Sequence, residues 1–120
     1  MSWLMVMAGG AVGSAARYAL SLAMNPSSGT GMPWGTLVAN VVGCLLIGWL
    51  SATLATAGGV SEAVRLGILV GLLGGFTTFS SFGLETIQLL QAGQGMSALI
   101  YVLLGNFGGL AGAWLGLRLS

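Results

Sequence analysis

The stretch WGTLVANVVGCLLIGWLSATLATA, Trp34 to Ala57, passes without one charged residue. A backbone so apolar for so long can satisfy its peptide groups in lipid only as a helix, since about 20 such residues cross the hydrocarbon core. Three further runs read the same way, from about Trp3 to Met24, from Glu62 to about Gln91, and from about Met96 to Leu119. Pro33 suits a helix start. Asn25-Pro26-Ser27-Ser28-Gly29-Thr30-Gly31 suits a turn, and Gly58-Gly59 a helix end. Ser61 with Glu62 reads as an N-cap with a first-turn acid, and Arg118 as a cation at the last helix's C-terminus. The expectation is an all-α membrane protein, one domain over residues 1–120, with four transmembrane helices and a multi-pass place in the cell's inner (plasma) membrane.

Charge supports this and excludes other classes. Only 4% of residues are charged, against about 25% in soluble domains. A net charge of +1 offers no electrostatic footprint for nucleic acid. Cys44 is the single cysteine and histidine is absent, so neither an internal disulfide nor a Cys/His metal site is expected. The N-terminal run lacks the basic flank of a signal peptide and reads as a retained first helix.

Small residues recur at helical spacing: Gly9 and Gly13; Gly35, Ala39 and Gly43; Gly108, Gly112 and Gly116. Such stripes let helix backbones approach closely in lipid. The third run is overlong, roughly 45 Å as unbroken helix at ~1.5 Å per residue against ~30 Å of hydrocarbon. Gly74-Gly75, followed by Thr77-Thr78, marks where it would unwind. Carbonyls freed at that depth need a buried partner, a cation or water.

Polar side chains cluster on faces. Thr36, Asn40 and Cys44 share one face of the second helix, and Phe79 and Phe82 run beside Thr78 and Ser81 in the third. Together with Tyr101 and Asn106 they describe a narrow track of donors without fixed charge and with aromatic walls. Amide and hydroxyl protons and the positive edges of phenyl rings suit a small anion. Glu85 is the one acid expected inside a span. It serves as an ion or proton relay, pairs with Arg17 of the first helix, or sits near the far interface.

GGFTTFSSF, residues 74–82, closely resembles the GGxTTFSTF signature of the Fluc/CrcB family of fluoride channels, and GGAVGSAARY and PWGTLVANVVGCLLIG agree with it. The resemblance spans essentially the whole chain. It implies a fluoride-selective channel that passively exports fluoride from the cytoplasm, and no enzyme. It also implies an antiparallel, dual-topology homodimer in membrane lipid with two pores. By the same resemblance the fluoride pathway takes in Thr36, Asn40, Thr78, Phe79, Ser80, Ser81, Phe82 and Tyr101. Arg17 and Glu85 match charged positions, Arg17 as a vestibule group. The carbonyls of Gly74 and Thr77, from each subunit, match a structural sodium (Na+) site on the two-fold axis. One position departs: four residues after the tyrosine the family often has Ser or Asn, whereas here Gly105 stands there and Asn106 follows, about 100° further round the helix, so either Asn106 lines the path from a shifted angle or the fourth helix contributes only backbone and water at Gly105.

The arginines fit dual insertion. Arg65 and Arg118 fall on the side of the termini and Arg17 leans to the other, which is almost no orienting bias. In such an isologous dimer each glycine stripe can meet its own copy and two broken segments can share one axis. Two other classes remain. A small multidrug resistance-type proton-coupled exporter shares the size, but uses a carboxylate in the first helix, where this chain has only Arg17. A purely structural membrane subunit would leave the polar track unexplained.

Overall fold

The computed structural model describes residues 1–26 and 31–120. Every regular element among them is helical: α1 Ser2–Met24, α2 Trp34–Thr56, α3 Glu62–Leu66, a π-helical turn Gly67–Leu72, α4 Leu73–Phe76, α5 Ser80–Gln91 and α6 Gly95–Leu119. Of the turn expected after α1, Ser27 to Thr30 lie outside the described residues. The molecule is 52 Å along its longest axis, which suits a bilayer of ~40–45 Å with its headgroups.

Among the described residues, three helical stretches are long and apolar enough to cross a membrane: Trp34–Thr56, Glu62–Gln91 and Gly95–Leu119. The first helix has the same 23-residue length as α2 but is not among them. Arg17, with glycines and serines along the helix, dilutes its apolar character.

Helix ends follow local chemistry. Ser61 Oγ accepts the Val64 N–H at 3.2 Å, and Glu62 pairs with Arg65 at 2.7 Å. Beyond α5, Gly93 takes φ +78°. The Gln94 and Gly93 N–H groups then reach the carbonyls of Leu89 and Leu90, a Schellman closure that favours glycine.

The glycine stripes act within the chain. A Cβ on Gly13 would run into the Leu72 carbonyl, one on Gly9 into that of Gly67, and one on Gly116 into that of Leu45. So α1 lies backbone to backbone along the π turn and α4, and α6 does the same along α2. The reading in which each stripe meets its own copy is therefore corrected: these surfaces are used inside the subunit.

Gly67, Gly71 and Gly75 all abut α1, against Met5, Val6 and Gly10. Residues four apart drift by about 40° per step around an α-helix. The wider π turn, where Leu73 N–H bonds back to Ile68, offsets that drift and keeps the row facing α1.

Gly13→Ala is expected to lower the free energy of unfolding by roughly 1–3 kcal/mol through overpacking, because backbone must move. Gly58→Ala, whose Cβ would meet nothing within 4 Å, is expected to leave the melting temperature almost unchanged. Thermal unfolding of the two purified variants checks the contrast.

Candidate functional site

The third run does break, at the last residue of the Gly74-to-Thr77 stretch. Gly74 and Gly75 stay helical in α4, and the chain turns extended at Thr77, φ −89° and ψ 155°. Asn40 accounts for the position. Its Oδ1 accepts the Thr78 N–H at 2.8 Å and its Nδ2 donates to the Thr78 carbonyl at 2.9 Å. One side-chain amide thus takes both backbone polar groups of one residue, replacing the helical partners. The glycines serve a different need: Gly75 packs on Gly10 and Ser14, and its carbonyl accepts from Arg17 Nε at 3.3 Å.

Gly74 and Thr77 are among the carbonyls that lose their helical donors here. The Thr78 N–H that would reach Gly74 goes to Asn40. The Ser81 N–H that would reach Thr77 goes to Thr78 Oγ1 at 3.1 Å, which helps start α5. Gly74 lies on an exposed face.

Below the break lies a cleft of ≈ 310 Å³, walled by α2, α4, α5 and α6. Asn40, Thr77, Thr78, Phe79 and Phe82 line it, with Cys44, Gly105 and Asn106 among the rest. No lining residue is charged. The Phe79 and Phe82 ring centroids are 5.8 Å apart, and those of Phe82 and Tyr101 are 4.9 Å apart. Phe82 is 9% exposed and Tyr101 0%, whereas Phe79 is 80% exposed at the cleft's open side. Gly105 makes room for Phe82, since a Cβ there would stand 2.8 Å from its ring. Gly43 does the same for Thr77.

The hydroxyls beside the break are largely committed. Thr77 Oγ1 donates to the Leu73 carbonyl at 3.0 Å, and Thr78 Oγ1 and Ser80 Oγ pair at 3.3 Å. Ser80 and Ser81 do not line the cleft.

Thr36, Tyr101 and Glu85 form a second cluster. Glu85 Oε2 accepts from Thr36 Oγ1 and from Asn25 Nδ2, each at 3.1 Å, and its Oε1 accepts from Tyr101 at 3.1 Å. Asn25 Oδ1 in turn accepts the Gly35 N–H at 2.7 Å. The network ties the end of α1 to α2, α5 and α6. The alternative in which Glu85 pairs with Arg17 is corrected: the carboxylate is held by three neutral donors, and Arg17 serves a backbone carbonyl. Asn25 was missed by sequence reasoning, which took it for a turn residue. Its partner is 60 positions away, so no local spacing marks it.

Residues 4–117 match the family model described as CrcB-like protein, Camphor Resistance (CrcB). The chain belongs to the CrcB family. Among CrcB-like relatives, a Thermus thermophilus protein named Fluoride-specific ion channel FluC is 48% identical over 118 residues, 98% of this chain and 94% of that one. Relatives of the same name from Rhizobium meliloti and Pseudomonas fluorescens are each 45% identical, covering 90% and 98% of this chain and 92% and 94% of their own lengths. The break, the uncharged cleft and the aromatic pair thus belong to a CrcB protein whose relatives carry the name of an ion channel.

Proposed function

We propose that this CrcB chain is a fluoride-selective membrane channel, not an enzyme, and that fluoride passes along the cleft beside the break. The observation that carries the reading is a cleft lined by amides, hydroxyl-bearing residues and phenyl rings without a fixed charge. Fluoride keeps its water tightly, so a path must offer replacement donors. Asn40 retains one N–H after bonding Thr78, and the rings of Phe79 and Phe82 offer positive edges. A fixed cation would hold the ion too firmly to release it, and a fixed anion would repel it. Fluoride enters cells as the neutral acid and is trapped as the anion at cytoplasmic pH, so a passive pore is enough to lower it.

The reading includes an antiparallel, dual-topology homodimer in which α1 is the fourth span. In support, α1 packs along α3, the π turn and α4, Phe79 lies open on the cleft side, and the three arginines give little orienting bias. A structural sodium fits the donor set. The Gly74 and Thr77 carbonyls, both deprived of helical donors, are hard oxygen ligands of the kind that hold unhydrated alkali ions. Bound there, the ion would supply positive charge that fixes two broken segments together on the dimer axis. Arg17 is a structural cation in this reading, set at the carbonyl end of α4 where a positive charge is favoured.

A bacterial host without its own fluoride export tests the proposal. Expression of this chain should restore growth in fluoride and leave tolerance to cationic drugs unchanged. Restored drug tolerance without fluoride tolerance would instead mark an exporter of the multidrug type. C-terminal reporter fusions in the same host should give signal on both sides of the membrane, and signal on one side alone would refute dual topology.

A further inference from the structure

We infer that Asn106 of α6 is a second amide donor of the fluoride path, facing the cleft opposite Asn40 and helping to set its preference for the ion. The inference rests on the reading of the cleft as that path. Asn106 lines the cleft together with Gly105. It lies near the middle of α6, a 25-residue span, where an amide left to lipid is costly. It stands exposed on the single chain, tied back to its own helix. Nδ2 donates to the Val102 carbonyl at 2.9 Å, and only the nitrogen end can do so, which leaves its second N–H and Oδ1 without a partner among the described residues.

The other donors of the cleft show why this matters. Thr77 spends its proton on Leu73, and Thr78 Oγ1 accepts from the Ser81 N–H and shares one proton with Ser80 Oγ, either of the two donating. Cys44 offers only a weak S–H donor. Among the cleft's side chains, the strong N–H groups that remain are one on Asn40 and one on Asn106, from the α2 and α6 walls. Gly105 assists from the adjacent position: lacking a side chain, it admits the Phe82 ring, so aromatic edge and amide come to the same stretch of cleft.

The test uses the full-length protein in liposomes, with fluoride efflux read by electrode and chloride efflux measured alongside. Asn106→Leu keeps the approximate size and removes the donor. Asn106→Asp keeps the shape and replaces the donor with a negative charge. Losing one hydrogen bond to an ion should slow fluoride efflux about tenfold or more in N106L, and N106D should be slower still. Both variants should elute and melt as the native protein does; a packing role would instead move elution or melting and leave the rate of the folded fraction alone. Phe82→Ile runs in parallel to separate two failures. Native rates in N106L and N106D beside a slowed F82I would overturn the role of Asn106 while the cleft stands. Native rates in all three would overturn both.

Discussion

Asn40→Asp is expected to abolish fluoride efflux while leaving the chain able to insert. The native amide gives one donor to the Thr78 carbonyl and takes one proton from the Thr78 N–H. An ionised Asp keeps the acceptor half. Its other oxygen then faces the Thr78 carbonyl, oxygen against oxygen, with no proton between them. The free N–H that Asn40 turns to the cleft is lost as well, and a negative charge stands where an anion must pass. At this half-buried site the lost donor to a charged ion costs about 1.5–3 kcal/mol, which with the added repulsion slows efflux roughly a hundredfold or more. Efflux from liposomes checks it; a rate within twofold of native would remove Asn40 from both the break and the path.

Phe82→Ile is the second large loss. The Phe82 ring sits between those of Phe79 and Tyr101 and over Gly105, so its edge is held at the cleft by three contacts. Isoleucine keeps the site apolar but has no quadrupole. Losing the positive ring edge, an electrostatic contact of about 1 kcal/mol on the scale of aromatic edge-to-face pairs, should slow efflux roughly fivefold or more. Phe79 is far more exposed, so its ring is less firmly held in the single chain. A folded F82I protein with native efflux would show that ring edges do not carry the ion.

The helices were legible because lipid permits so few backbone solutions, and the Ser61 cap because its donor is three residues away. The glycine stripes were legible as close-packing surfaces, but spacing does not say whose backbone approaches, and the partners proved to be in the same chain. The break was legible as falling between Gly74 and Thr77, from the glycines and the threonines that follow them. What sets it is Asn40, 38 residues from Thr78, and a side-chain amide pairing across helices leaves no periodic trace. The same holds for Asn25 with Glu85 and for Arg17 with Gly75. The π turn was invisible for another reason: it adjusts the angle of a glycine row that reads identically as α-helix.

Fluoride and chloride efflux from liposomes containing the purified native chain is the most direct test of the account. With potassium-loaded vesicles and a potassium ionophore to balance charge, a fluoride electrode should record rapid release that scales with protein, and a chloride electrode almost none. Fluoride release no faster than from protein-free vesicles, or equal release of both ions, would contradict it.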